Sequence, residues 1–569
     1  MRCTQNVRQP KIYMNKYPGT LLAIVAALWV TLASAASAAP GEPTYVIFSI
    51  MGPQALGPEN INGIIQPEST WHDRENGSVE ELVREFGRQK PGQQRYIGFS
   101  IALTPTLNLT ETKLKAEVVH ALDLAEQAGI PVFLHLDDQH FWFASPELAK
   151  NPEMQEWSDF PKEGQRTGPV VPRYWLNWGD PAAVYPAPPP CFACPAFKTA
   201  LSRRLKKCVA EPVVERLNNW KKQGKEYLFA GIASGNETSV PDFHRGYDGY
   251  TGKPGEEAGL DITRRPPVKI KMSNEDRVPV GYHSLHSMGY NRKSIENLAQ
   301  SRHESVNKTT KELFYQVAHD YAELQAKTLS QAGIPKDRIY THFTSTTRTL
   351  KGYGAHVREL EEQTAASTAT GSDNLAPPVP ASVNQYSRPG FSVVRSAVDL
   401  NELVAQLQRA HAQGEGKTWA AVESYACSGQ PGKAQTQEQY EEYLGGLTAH
   451  GAKVVNVYGW NIDIPSPYAV KGSGVVPAVK KWLTGHNFSP AWFGSQNNSQ
   501  LKQAAAIQTK IAIMQQNARD LVGKGLDPHA VQAILASFQS QFEPLVRAGK
   551  FAEAEAAIDR AIAQLKALR

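Results

Sequence analysis

Residues 213–237, VVERLNNWKKQGKEYLFAGIASGNE, contain in one stretch the unit from which we predict the fold. Residues 213–223 have the apolar spacing of an amphipathic helix, and Gly224 follows as a stop signal. The run Tyr227–Ile232 comes next and shows no alternation of polar and apolar residues, which is typical of a strand buried on both faces. A helix that ends on glycine shortly before a buried strand is the junction that repeats in α/β proteins.

The same alternation extends along most of the chain. Helices are predicted over 113–128 and 312–332, each followed by a glycine. Besides the run above, seven apolar segments are predicted strands: 45–50, 96–101, 132–136, 339–343, 391–394, 418–422 and 454–458. Eight strands alternating with helices favour a (β/α)₈ TIM barrel over residues 42–490. A doubly wound sheet is the alternative, but no glycine-rich phosphate loop follows the first strand.

Two long insertions and a helical tail are added to this pattern. Residues 143–200 are rich in Pro and Trp, and residues 239–305 are rich in Gly, His and Tyr. They follow the third and fourth strands at their C-terminal ends, on the face where a barrel builds its active site. Residues 498–569 are dominated by Ala, Gln, Leu and Lys and predict a C-terminal helical hairpin or bundle. Breaks are expected near Gly525 and Gly549.

Residues 1–39 have the pattern of a secretory signal peptide. A basic start without acidic residues precedes the apolar run 21–30, and small-residue steps such as Ala36-Ser37-Ala38 follow. The apolar run is shorter than the about 20 residues that a membrane span needs. We therefore expect cleavage, a mature chain without an integral membrane segment, and a secreted or periplasmic protein. Met14 is an alternative initiator.

Charge and cysteine content narrow the class of protein further. The formal net charge is +5 and no dense basic stripe is present, so we expect no nucleic-acid partner. Of five cysteines, Cys3 leaves with the signal, and the remaining even number predicts one or two disulfides in an oxidising compartment. Cys191 and Cys194 lie in a proline-rich frame that predicts no helix start, unlike a thioredoxin-like redox motif.

Two glutamates follow predicted strands. Glu237 comes after the fourth strand, directly behind Asn236, and Glu423 ends the seventh strand. The C-terminal ends of barrel strands converge on one mouth, and two carboxyl groups there are what glycosidic bond cleavage requires. One protonates the leaving oxygen, and the other attacks the anomeric carbon or activates water. A second Asn-Glu pair, at 274–275, follows an alternating segment and fits a hairpin strand better than a barrel strand.

An Asn-Glu pair ending the fourth strand and a glutamate ending the seventh resemble the clan A superfamily of retaining (β/α)₈ glycoside hydrolases. The resemblance covers the barrel. It implies that Glu237 is the acid/base, that Asn236 hydrogen-bonds the sugar 2-hydroxyl and that Glu423 is the nucleophile, acting on a poly- or oligosaccharide. The interval between Glu237 and Glu423 is longer than the clan's barrels usually need, so the insertions must absorb the difference.

Other polar and aromatic residues follow the same strand ends. We expect contacts to the sugar, or orientation of the nucleophile, from His135, Asp137, Asp138, Trp142, His342, Tyr386 and Trp460. Asp137 or Asp138 could instead cap a helix, and Trp460 could instead close the barrel core. His283 and His286 are three residues apart in a predicted irregular loop, which is a weak metal pattern. We expect no metal and no cofactor.

Two further functions stay open on the sequence. One is a non-catalytic carbohydrate-binding protein built on a glycosidase-like barrel, which would bind glycans whether or not the glutamates are intact. The other is a metal-dependent barrel hydrolase, which would lose activity to chelators.

Overall fold

The structure is a computed structural model that describes most of the region after residue 41. The described residues are 42–51, 68–105, 109–137, 148, 150–170, 175–176, 184–185, 189–235, 237–238, 240, 246–247, 277–278, 280–345, 379–393, 400, 403–404, 407, 418–424, 435–462, 470–488, 510, 514, 517–518, 521, 526–547 and 551–568. The predicted signal peptide therefore lies outside them. Among the described helices, none is long and apolar enough to cross a membrane.

A closed ring of parallel strands forms the centre of the fold. The strands are β1 Thr44–Met51, β2 Arg95–Pro105, β3 Val132–Asp137, β4 Phe229–Ser234, β5 in two pieces Ile339–Thr341 and Phe343–Ser345, β6 Gly390–Val393, β7 Trp419–Ser424 and β8 Ala452–Val457. Each strand pairs in parallel with the next, and β8 pairs with β1. The first piece of β5 pairs with β4 and the second with β6, so the strand interrupted at His342 completes the ring. The predicted (β/α)₈ barrel is confirmed.

Helices lie between the strands, within the insertions and in the C-terminal region. They are α1 Glu68–Phe86, α2 Glu111–Ala128, α3 Pro195–Arg204, α4 Glu211–Gln223, α5 Tyr282–Ser287, α6 Arg292–Arg302, α7 Val306–Gln331, α8 Gln437–Ala449, α9 Val475–Leu483, α10 Pro528–Arg547 and α11 Phe551–Ala567. A π-helical turn, Leu205–Ala210, joins α3 to α4, and short 3₁₀ turns occupy Pro152–Met154, Glu226–Leu228, Lys336–Arg338 and Val379–Ser382.

Two barrel helices begin earlier than their apolar spacing predicts. Helix α2 starts two residues and α7 six residues before the predicted positions. Polar side chains cap both starts, because Thr110 accepts a hydrogen bond from Lys113 N and Ser305 accepts one from Lys308 N. Polar first turns lack apolar periodicity, so capping residues mark these starts better than hydrophobicity does. At the other end, Gly129 closes α2 in the left-handed conformation, as predicted.

The apolar core has two parts, one on each side of the strands. Inside the ring lie Tyr45, Ile47, Tyr96, Phe133, Ala230, Ala233, Tyr340, Ala420, Val422 and Val454. The larger part fills the space between strands and helices. Tyr45 and Tyr96, near the N-terminal ends of β1 and β2, stack at 5.3 Å between ring centroids, and Tyr227 stacks on Tyr96 at 5.2 Å. These aromatic rings fill the N-terminal end of the barrel.

The two insertions are joined by a small antiparallel sheet. Val184–Tyr185 and Trp175–Leu176 come from the first insertion, and they pair in series with Gly246–Tyr247 and Arg277–Val278 from the second. The second insertion also contains α5 and α6, so His283 and His286 lie on a helix and the expected irregular loop there is wrong.

A disulfide joins Cys191 to Cys194 immediately before α3. The expectation that no helix begins in this proline-rich frame is wrong. Helix α3 starts at Pro195, because the fixed φ of proline and its missing N–H suit the first helical position. Cys208 is buried and not disulfide-bonded, and Cys427 lies outside the described residues.

The C-terminal helices have an apolar cluster of their own. Helix α10 begins at Pro528 and α11 begins after Gly549, at the two predicted breaks. Their shared cluster contains Met514, Ala518, Leu521, Val531, Ala554, Ile558, Ala561 and Leu565. This cluster is separate from the two clusters of the barrel, so the helical tail is stabilised by its own burial.

Close packing between β5, β6 and β7 predicts a large cost for a methyl group at Gly390. A Cβ there would lie 2.1 Å from Thr341 O and 2.6 Å from Val422 Cγ2. We expect Gly390→Ala to lower the free energy of unfolding by at least about 1–3 kcal/mol, as measured by urea denaturation.

Gly77→Ala is the matched control for this substitution. Gly77 lies inside α1 with nothing within 4 Å of its added Cβ, so alanine should be neutral or stabilise by up to about 1 kcal/mol. Equal stability of Gly390→Ala and the unmodified chain would contradict the tight packing described for β6.

Candidate active site

Strand β7 carries one extra residue relative to both neighbouring strands. From Ala421 to Glu423, β7 advances two residues while β6 advances one, from Phe391 to Ser392. Against β8, the register again shifts by one residue between Ala421 and Ser424. Regular alternation would place Glu423 on the face of Ala421, which packs in the outer layer. The bulge instead brings the Glu423 carboxylate to Ser392 Oγ, at 3.1 Å.

A polar cluster inside the ring supports the bulge. Asn456 Nδ2 donates a hydrogen bond to Val422 O at 2.8 Å, which satisfies a carbonyl in the irregular part of β7. Asn456 Oδ1 accepts hydrogen bonds from Ser49 Oγ at 2.9 Å and from Ser100 Oγ at 3.1 Å. These three side chains are fully buried, so β1, β2 and β8 together hold the β7 backbone in place.

A second chain of buried polar groups ends at Glu423. His135 Nε2 lies 3.1 Å from His342 Nδ1, and His342 Nε2 lies 2.7 Å from Ser392 Oγ. Ser392 Oγ in turn donates to Glu423 Oε2. One proton arrangement satisfies every pair: His135 donates to His342, His342 donates to Ser392, and Ser392 donates to the carboxylate. The chain crosses from β3 to β7 through β5 and β6, and it fixes Oε2 of Glu423 in the barrel.

The backbone after β4 is held by the same histidine. Gly235 and Glu237 both have positive φ, 87° and 46°, and a positive φ is uncommon for a residue with a side chain. Thr238 N donates to His342 O at 2.9 Å, at the point where β5 is interrupted. His342 Nδ1 also lies 3.3 Å from Gly235 O. The chain thus turns at Glu237, which is half-buried, and the hydrogen bond from Thr238 N to His342 O anchors it on the C-terminal side.

The structure places the predicted site residues in different surroundings. The structure brings His135 and His342 together with Glu423 in one buried cluster. Trp460 is buried against Phe48 and Phe86, the packing role that the sequence left open for it. Tyr386 is half-buried near α7, with Lys327 Nζ 5.8 Å from its ring centroid. Asn236, Asp138, Trp142 and the side chain of Asp137 lie outside the described residues.

Sequence reasoning missed the polar side chains inside the barrel, namely Ser49, Ser100, Ser392 and Asn456. Each of these residues lies within an apolar run, and this position could have marked it as a buried polar group of the barrel. A lone serine or asparagine in a strand buried on both faces needs a hydrogen-bonding partner in the barrel.

The Glu156 carboxylate fastens the two insertions to each other. It lies in the first insertion and accepts hydrogen bonds from the N–H groups of His283 and Ser284, at 3.0 and 3.1 Å, and from the Ser284 hydroxyl. Beside it, the rings of Trp157 and His283 stack at 3.8 Å. Burial raises the pKa of Glu156 to about 7, although the hydrogen bonds oppose this shift.

Comparisons with known proteins find only structural neighbours of low identity and low TM-score. No protein-family model and no curated protein matches the sequence. Structural neighbours include the catalytic domain of a β-amylase from Paenibacillus polymyxa, at 10% identity and a TM-score of 0.38, covering 79% of this chain and 100% of that one. Xylanase 10C from Cellvibrio japonicus has 10% identity and a TM-score of 0.32, covering 79% and 73%. The virulence factor SghA, in complex with the substrate analogue salicin, has 10% identity and a TM-score of 0.34, covering 82% and 99%.

The Glu156 contact predicts a pH-dependent stability. The folded protein binds the proton of the Glu156 carboxyl more tightly than the unfolded chain does, because the pKa of this group in the unfolded chain is near 4.5. The stabilising contribution is therefore complete below about pH 4.5 and is lost as the pH rises through about 7. A shift from 4.5 to about 7 corresponds to about 3 kcal/mol.

Glu156→Gln should remove this loss, so that the difference in unfolding free energy between about pH 5 and about pH 8 becomes smaller. Glu153→Gln, an exposed neighbour, should leave the difference as it is in the unmodified chain. Identical pH profiles for Glu156→Gln and the unmodified chain would contradict this account of the buried carboxyl.

Proposed function

We propose that the protein is an exported, retaining glycoside hydrolase that cleaves a poly- or oligosaccharide. Glu423 is the nucleophile and Glu237 is the acid/base. The observation that carries the proposal is the bulge in β7, which turns Glu423 into the barrel and onto the donor chain from His135, His342 and Ser392. A carboxylate held by a hydrogen-bond donor on one oxygen is oriented for attack by the other.

The site supports the two steps of double displacement. In the first, Glu423 attacks the anomeric carbon while Glu237 gives its proton to the leaving oxygen, which forms an ester between the sugar and Glu423. In the second, Glu237 takes a proton from water, and the resulting hydroxide displaces Glu423. Ser392 remains hydrogen-bonded to the carboxylate and stabilises the negative charge that returns to it. The anchoring of the Glu237 backbone by His342 fits the positional precision that both steps require.

Export is part of the proposal and rests on the sequence of residues 1–39. A polysaccharide substrate that cannot enter a cell is cut outside it, and a signal peptide would deliver the enzyme there. Comparing the N-terminus of the protein recovered outside the cytoplasm with the encoded one tests this part: cleavage near Ala39 supports export, whereas an intact, cytoplasmic chain contradicts it.

Replacement of the two glutamates should separate their roles. Glu423→Gln should lower turnover on the order of 10⁴-fold on every active substrate, because no group remains to form the ester. Glu237→Ala should retain the first step on nitrophenyl glycosides, whose leaving group needs no proton, and azide should restore release of the sugar. Turnover of a glycoside and polysaccharide panel measures both effects.

Glu438→Gln, an exposed glutamate on α8, is the matched control and should keep full turnover. Full turnover of Glu423→Gln would refute the proposed nucleophile. In NMR of the first product formed, retained anomeric configuration supports double displacement, whereas inversion would show that water attacks directly.

One observation favours a second function, that of a metal-dependent hydrolase. Potential ligand atoms of His135, His342 and Glu423 all lie within 4.8 Å of one another. In that case His135→Gln would release a bound metal that Glu438→Gln keeps, and activity would follow the metal content. The double-displacement proposal requires instead that turnover is independent of any metal bound by these three residues.

A further inference from the structure

A second cluster of ionisable side chains lies between the first two barrel helices. Helix α1 contributes His72 and Glu75, and α2 contributes Glu117 and His120. Each pair is three residues apart, so both of its members lie on the same face of their helix. His72 faces Glu117 and Glu75 faces His120, which is the pairing expected of two helices that run in the same direction around a barrel. The result is two imidazoles and two carboxylates facing one another.

The distances in this cluster match those between ligands of one metal ion. His72 Nε2 lies 3.4 Å from each oxygen of Glu117, and His120 Nε2 lies 3.2 Å from Glu75 Oε2. Zinc bonds of about 2.0–2.1 Å in a tetrahedron place neighbouring ligand atoms about 3.3–3.4 Å apart. Ligand atoms of His72, Glu75 and His120 all fall within 4.8 Å of one another, and Glu117 lies beside this group, against His72.

The orientation of Glu75 is also that expected of a metal ligand. Glu75 is 3% exposed, and neither its Oε2 nor the facing His120 Nε2 makes a hydrogen bond of acceptable geometry, although these atoms are 3.2 Å apart. Two polar atoms that approach closely without pointing at each other are arranged as ligands that share a third partner. The His72 and His120 rings stack at 3.8 Å, which would be unfavourable if both were charged.

Charge and access are consistent with a cation at this position. Burial, followed by repulsion from Glu75, raises the pKa of Glu117 despite the two imidazoles beside it. The His72 side chain is 31% exposed, whereas that of Glu75 is 5% exposed, so the cluster opens to solvent on one side only. An ion can therefore enter past His72 and meet Glu75 at the closed end.

We propose that His72, Glu75 and His120 bind one divalent transition-metal ion, with zinc as the best match, and that the neighbouring Glu117 carboxylate turns from His72 to complete the site. Two imidazole nitrogens and two carboxylates form a donor set that zinc accepts in a tetrahedral site. The ion would join α1 to α2 on the outside of the barrel, far along the chain from Glu237 and Glu423. Its role would be structural, since four protein ligands leave no open position for a substrate.

Zinc titration of the metal-free protein tests the proposal. The full chain is dialysed against a chelator, the chelator is removed, and zinc chloride is added in a calorimeter, without substrate. We expect one equivalent to bind at this site and to raise the thermal midpoint of unfolding. Glu75→Gln and His120→Gln should each weaken binding by more than about 100-fold, because loss of a ligand exceeds the effect of second-shell changes.

Two controls make the result specific. Glu323→Gln removes the carboxylate of a half-buried His319–Glu323 pair with a similar 3.3 Å separation, and this variant should bind zinc as the unmodified chain does. Glu423→Gln should do the same, which separates this site from the cluster in the barrel. If either buried variant fails to fold, His72→Gln replaces it, since His72 is the most exposed of the four residues. Absence of stoichiometric binding, or unchanged affinity in the ligand variants, would overturn the proposal.

Discussion

Closure of the strand ring is the constraint on which the rest of this structure depends. Eight parallel strands, with β5 in two pieces, pair around a full circle, so every strand ends at the same rim. The tyrosines near the starts of β1 and β2 fill the opposite end by stacking. The interior therefore changes along its axis from aromatic and aliphatic residues to serine, asparagine, histidine and glutamate. Hydrogen-bonding groups are concentrated where the strands end.

That polar region is tolerable only because its groups satisfy one another. A buried donor or acceptor that is left unpaired costs about 1–3 kcal/mol. This part of the barrel contains many buried polar groups, and each needs a partner. Asn456 compensates the irregular β7 backbone, and Ser392 links an imidazole to a carboxylate. The extra residue in β7 thus has a structural cost and also redirects a side chain. It breaks the regular pairing of the sheet, and it presents a carboxylate where alternation would have placed it among the helices.

Much of the fold could be predicted from the sequence, and much of the site could not. Continuous apolar runs and closing glycines predicted eight strands and the barrel, because burial on both faces is a local compositional signal. The predicted fourth strand, Tyr227–Ile232, is displaced from the observed Phe229–Ser234. The first two residues belong instead to a 3₁₀ turn, in which Leu228 is buried and the half-buried Tyr227 stacks on Tyr96.

The carboxyl pair was predicted by its position at strand ends, whereas its support was not. The bulge depends on register against two neighbouring strands, and register is set by contacts distant in sequence. Likewise, the contact between His72 and Glu117 joins residues 45 positions apart. A single sequence indicates which side chains a helix places on one face, but not which face of another helix lies opposite.

The joined insertions have a consequence for how a protein of this kind can change. Strands from both contribute to one small sheet, and a buried carboxylate of the first holds the backbone of the second. Recombination that replaced only one insertion would leave half a sheet and an unpaired acid. The two insertions must therefore be inherited as a pair, even though helix α4 and strand β4 separate them along the chain.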